Sequence, residues 1–166
     1  MMKQFKTFLI AAIALVGFQT INAQAKTAHV NIQEVLTKMP AVIDAQAQLK
    51  KLGETYSAEY KTMVDEYQAK IAKYDKEAAT AGDAENQKRQ AEVQDMAKRI
   101  SDYQENAQKE LQKKESDLMN PLNEKVLASI KKVGKLKGFQ YVLNAAQLLL
   151  ADGPDLTADI KKDLGF

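Results

Sequence analysis

The sequence predicts an α+β protein that is mostly α: a long antiparallel α-helical hairpin projecting from a small β-strand body. Three observations predict it. From Asp44 to Asn120 apolar residues recur at helical spacing, with a turn at Ala81-Gly82-Asp83 and a thinner row in the second arm, where polar residues interrupt it near Gln87 to Gln90 and at Lys113-Lys114. Short runs with the alternation or apolar density of strands occur only before and after that stretch, and alternation is the signature of a half-buried strand. The chain has 166 residues, enough for one domain or a small domain with an extension.

Met1 to Ala25 has the layout of a secretory signal peptide: Lys3 and Lys6, then an apolar run from Phe8 to Phe18, then small residues. The run is too short for a stable membrane anchor. Cleavage is expected after Ala23, with Ala25 the alternative, and no Cys follows to take a lipid. The division expected is therefore 1–23 leader, 24–43 and 121–166 body, and 44–120 hairpin arm, with the mature protein in the periplasm.

Lys26 to Gln33 alternates around Ala28, Val30 and Ile32 and predicts a strand. Glu34 to Lys38 predicts one helical turn, halted before Pro40 because the residue preceding proline avoids the α region. Pro40 then suits the first turn of the next helix.

The first arm carries Leu49, Leu52, Tyr56, Tyr60, Met63, Tyr67, Ile71, Tyr74 and Ala78. These steps of three and four sum to an eleven-residue repeat, which favours a nearly straight pair of helices over a left-handed supercoil. In the second arm Met96, Ala107 and Leu118 are spaced by eleven, as are Ile100, Leu111 and Leu122, while Tyr103 starts a row that turns polar. Each arm of about 37 residues would reach on the order of 55 Å.

Pro121 predicts a kink where the second arm enters the body, with Leu122, Val126, Leu127, Ile130 and Val133 continuing as a body helix. Phe139 to Asn144 predicts a strand, Ala145-Ala146-Gln147 a tight connection, and Leu148 to Ala151 another strand. Asp152-Gly153-Pro154 marks a turn. Thr157 suits the N-cap of a final helix bearing Ile160 and Leu164. So few short strands rarely stand alone in water, and a body this small lies near the lower limit for independent folding. Association of the bodies is expected, with Val30, Ile32, Tyr141, Leu143 and Leu149 as the strand residues that build the oligomerisation body.

Composition excludes several functions. There is no Cys and a single His, so thiolate or imidazole metal sites are not expected, and no cofactor is implied. The chain has 24 Lys and Arg against 22 Asp and Glu; losing Lys3 and Lys6 with the leader leaves 22 against 22. A near-neutral chain is a poor nucleic-acid surface. Gly134-Lys135-Leu136-Lys137-Gly138 lacks the spacing and Ser/Thr of a phosphate-binding loop, and one His serves no acid–base set, so no enzyme is expected.

The ordered set of features resembles the Skp/OmpH family of periplasmic chaperones. It comprises the leader, Ala28-His29-Val30-Asn31-Ile32, a short helix ending Met39-Pro40, the hairpin, and a tail of Phe139 to Ala145 followed by Asp155 to Leu164. The resemblance implies a homotrimer whose strands close a shared β-barrel, with three helical prongs around a cavity. It also implies an ATP-independent holdase that keeps unfolded outer-membrane β-barrel proteins soluble. The better-known members are strongly basic; this mature chain is near neutral, so any contact with membrane lipid or lipopolysaccharide is expected to be weak.

Tyr56, Tyr60, Met63, Tyr67, Tyr74, Met96, Ile100 and Tyr103 are the candidate client contacts. Tyrosine offers an apolar face and a polar tip, and methionine adapts to varied partners. The competing reading of the same stripe is the seam between the arms, where most of these residues would pack on one another. The competing function is a coiled-coil spacer of the cell envelope; the small, polar tip from Thr80 to Asn86 favours the holdase.

Overall fold

The computed structural model describes residues 25–166; the expected leader lies outside the described residues. In chain order the elements are β1 (Thr27–Val30), α1 (Ile32–Lys38), α2 (Pro40–Ala81), α3 (Asp83–Leu136), β2 (Tyr141–Asn144), a 3-10 turn (Ala145–Gln147) and α4 (Thr157–Leu164). β1 and β2 pair in parallel, Thr27 opposite Tyr141 and Val30 opposite Asn144. Parallel neighbours require a crossover, and here the crossover is the whole hairpin.

The helices begin and end where local chemistry dictates. The Asn31 side chain accepts from the Glu34 N–H and so caps α1. Pro40 opens α2, where a missing N–H costs nothing. Gly82, at φ +79°, is the single residue between α2 and α3, and glycine takes that conformation without a Cβ clash. The Asn86 side chain folds back to donate to the Ala78 carbonyl at 2.9 Å, satisfying one orphan acceptor at the end of α2. α2 has 42 residues and α3 has 54, so the helices reach about 63 and 81 Å.

The core sits at the root, where α1, the start of α2, the end of α3, the ladder and α4 meet. Val30, Val35, Val42, Val126, Leu156 and Ile160 are fully buried there, with Ala28, Met39, Ile130 and Val133 completing the cluster. β1 is held on both edges: β2 pairs with one, and on the other the His29 N–H donates to Pro154 O and His29 O accepts from Leu156 N–H, each at 2.9 Å. Gly134 lets β2 cross close to α3; a Cβ there would stand 2.8 Å from Val142 Cγ2.

The helix expected to continue past Pro121 does so: α3 runs through it into the body, and the acceptor that proline strands belongs to Asp117, in an exposed stretch open to water. Several expectations are corrected. The first strand stops at Val30, and Ile32 begins α1, because Asn31 caps the helix instead of extending the strand. Leu148 to Ala151 forms no strand, since the single chain offers it no partner ladder. Ala78 is exposed. Thr157 is the first residue of α4 and does not cap it; its hydroxyl donates to Asp155 and accepts from the Asn31 N–H, tying α4 to α1.

Candidate functional site: the hairpin

All eight candidate contact residues lie on the row that faces the other arm, each half-buried. On α2 the row runs Leu49, Leu52, Tyr56, Tyr60, Met63, Tyr67, Ile71, Tyr74. On α3 it runs Asn86, Arg89, Val93, Met96, Ile100, Tyr103, Ala107, Leu111. The distal part of α3 therefore steps three and four alternately, the spacing of a heptad seam. The eleven-residue spacing covers the root side through Leu118 and Leu122, which are also half-buried. The tyrosine stripe is thus the seam, and its outer edges border open grooves.

Two polar clasps lock the arms. Near the middle, Tyr103 stands edge-on to Tyr56, ring centroids 6.2 Å apart, and its hydroxyl donates to Glu59 Oε2 at 2.5 Å. Burial, then the Glu59 hydrogen bond, push the Tyr103 phenol up to about 12. Toward the tip, Glu92 accepts from Lys70 and from the Tyr74 hydroxyl. Those two bonds hold the Glu92 carboxyl below its ordinary range and raise both partners. Arg89 lies over the Tyr74 ring, 4.7 Å from its centroid, while Nη2 reaches Glu77 at 2.8 Å and Nε reaches Glu85 at 3.3 Å. Its Nη1 has no hydrogen-bond acceptor, and the stack on Tyr74 compensates it.

Periodicity among apolar residues could not find Glu59, Lys70, Arg89 and Glu92. A signal for one of them did exist: Arg89, Met96 and Tyr103 are seven apart, and a polar residue at a seam position fixes register.

Two grooves open between the arms. The distal one, about 500 Å³, is walled by Ile71, Tyr74, Ala78 and Val93 with Gln90 and Gln94 at its rim. The other, about 310 Å³, lies over Gly53, Tyr56, Tyr60, Tyr103 and Leu111 with Gln104 and Gln108 beside it. Among the described residues no group of three His, Cys, Asp or Glu could hold a metal, and no helix is long and apolar enough to cross a membrane.

The architecture and its parts match known proteins. The chain is 22% identical over 163 residues to "Chaperone protein Skp" of Pectobacterium atrosepticum, covering 96% of this chain and 99% of the relative. It is 28% identical over 166 residues to "Chaperone protein Skp" of Photorhabdus luminescens, with the same coverage. The family model described as "Outer membrane protein (OmpH-like)" matches residues 26–164. The chain belongs to the OmpH-like family. An OmpH-like fold has been solved from Caulobacter crescentus CB15, in a crystal structure described as that of an outer membrane chaperone. The two superpose with a TM-score of 0.76 at 16% identity, over 84% of this chain and 83% of the other.

In this OmpH-like chain the body residues divide. Val30 is 1% exposed and its side chain is used up in the chain's own core, so it presents no surface to a neighbour. Ile32 packs against that core from α1. Tyr141, Leu143 and Leu149 stay outside it, 58%, 42% and 109% exposed, with Leu150 beside them. Of the lysines at the end of α3, Lys132 pairs with Asp163 at 2.6 Å and Lys137 with Asp159 at 2.8 Å; they fasten α4 and are not a free cationic patch.

Proposed function

We propose that this OmpH-like protein is an ATP-independent holdase of the periplasm. It holds unfolded outer-membrane β-barrel proteins between helical prongs and stops them aggregating. Non-native β-chains expose unpaired strands and apolar surface that would otherwise associate. The observation that carries this reading is the hairpin: a rod tens of ångströms longer than the core at its root, with grooves along its seam and a tip, Thr80 to Asn86, of small and polar residues. A rod that docked by its end would offer an apolar or specific tip. The two relatives named as Skp chaperones over nearly their whole length support the same reading.

The working unit is a homotrimer. A two-stranded ladder is a poor stand-alone sheet, and large apolar side chains are left exposed on β2 at Tyr141 and Leu143 and after it at Leu149 and Leu150. In the trimer these residues meet, and Leu148 to Ala151 finds in a neighbouring copy the ladder its own chain lacks. Lys3, Lys6 and the apolar run that follows support export.

The test is dilution of a urea-denatured outer-membrane β-barrel protein into buffer with and without the mature chain, with the mass of the complex measured in solution. A holdase suppresses aggregation at about one trimer per client. A spacer leaves aggregation unchanged and overturns the proposal.

A further inference from the structure

The two flanks of the hairpin seam are chemically different. Successive residues of a helix are turned by about 100°, and in an antiparallel pair the positions just after each seam residue fall on one common flank. On α3 that row is Gln87, Gln90, Gln94, Gln104, Gln108 and Gln112, with Ala97 and Ser101 between. None of the eight is charged. The matching row on α2 is Gly53, Ser57, Val64, Gln68 and Ala72 with three charged positions, Lys50, Lys61 and Asp75, the last of which lines the distal groove. Both grooves open on this flank: Gln90 and Gln94 rim one, Gln104 and Gln108 the other.

The positions just before each seam residue form the other flank. On α3 they read Glu85, Lys88, Glu92, Asp95, Arg99, Asp102, Asn106 and Glu110, charged at all but one. The cross-arm bonds of Glu59, Lys70, Glu77 and Glu92 lie there. One flank laces the arms together; on the other the α3 side is uncharged and open.

We propose that the glutamine flank is the client-facing side of each prong, and that what it takes is an extended, non-native polypeptide backbone. This rests on the holdase reading above. An amide side chain both donates and accepts, so a glutamine row can satisfy unpaired backbone N–H and C=O groups whatever the client sequence. A charged row under a client would have to be desolvated, at a cost that pairing seldom returns. Absence of charge on α3 matches a partner whose own recognised groups are neutral amides, while the tyrosine edges in the grooves take its apolar side chains. Because the glutamine row carries no charge, its share of the binding depends little on salt.

The experiment places a photoreactive side chain singly at Gln94, Gln104 and Gln108, and at Asp95, Asp102 and Glu110 on the opposite flank, in the full mature chain. The probe is a urea-denatured outer-membrane β-barrel protein diluted from denaturant. Crosslinks to the probe several-fold stronger from the glutamine positions are expected; equal yields from both flanks overturn the proposal, and so do prong-to-prong crosslinks that persist with client present. In parallel, Gln94→Glu/Gln104→Glu/Gln108→Glu is expected to weaken client binding about tenfold, the effect of roughly 1.4 kcal/mol. The set Lys88→Gln/Arg99→Gln/Asn106→Asp makes the same net charge change on the other flank and is expected to stay within about twofold, as surface charges do. Equal losses in both sets overturn the proposal. If the unsubstituted chain does not suppress aggregation, the holdase reading itself fails, a result distinct from the rest.

Discussion

The Tyr103 hydroxyl donates to Glu59 Oε2 at 2.5 Å across the seam, joining residues 44 apart in sequence. That bond, with the Tyr56 ring edge-on beside it, fixes which turn of α2 faces which turn of α3. It also gives one tyrosine a chemical signature by which the hairpin can be observed.

Tyr103 should ionise late. Its phenol is pushed from the ordinary 10.0 to about 12. A group whose folded value is raised gives stability that is present below the unfolded value and is lost as pH rises through the folded one. The hairpin should therefore loosen between about pH 10 and 12. An ultraviolet titration should show a late tyrosinate step that shrinks by one phenol in Tyr103→Phe; an unchanged late step would contradict the assignment.

Gly134→Ala should destabilise the root. The new methyl would sit 2.8 Å from Val142 Cγ2, and valine is stiff at χ1. The cost expected is about 1–3 kcal/mol, read by thermal or denaturant unfolding. Val142→Ala in the same chain should recover part of it, because the two sites share one contact.

Acid should detach α4 first. Glu34 is held below its ordinary 4.5 by hydrogen bonds from Lys161 and Lys38, and Asp163 below its ordinary 3.8 by Lys132 and Ser129. Lowered values give stability that is present above the unfolded value and lost as pH falls through the folded one. Protection of the amides from Thr157 to Leu164, relative to their intrinsic exchange rates, should fall as pH drops below these ordinary values, and Glu34→Gln should flatten that dependence.

Ile160→Ala should cost about 2–5 kcal/mol. Ile160 is fully buried in the root cluster, so the lost methylenes leave a cavity. Leu164→Ala, half-buried on the same helix, should cost less; equal unfolding midpoints for the two would place the core elsewhere.

Arg89→Lys should loosen the tip although charge is kept. Lysine cannot reproduce the planar fork that meets Glu77 and Glu85 while stacking on Tyr74, and such swaps are not conservative at stacked or bidentate sites. Amide exchange between Ala78 and Val93 should rise, with exchange at the root unchanged.

The hairpin, the turn around Gly82, a strand within Phe139 to Asn144 and the final helix were all legible in the order of residues, because each depends on spacing along a few turns or on a single capping or breaking residue. Three and four residue steps at Tyr56, Tyr60, Met63 and Tyr67 can make only a helix stripe. The strand-like run Leu148 to Ala151 is no strand in the single chain, since a strand is defined by a partner and local pattern carries none. Ile32 misled for a related reason: alternation cannot see that the Asn31 side chain turns the chain into a helix.

Family and fold class therefore follow from patterns local to the chain. Three dimensions were needed to decide that the tyrosine stripe is a seam, that Glu59 and Glu92 clasp it on one flank, and that glutamines line the other. Those facts depend on how α2 and α3 are rotated against each other, a choice made by contacts between residues tens of positions apart. Linear spacing fixes which residues share a face, and only packing fixes which way that face is turned.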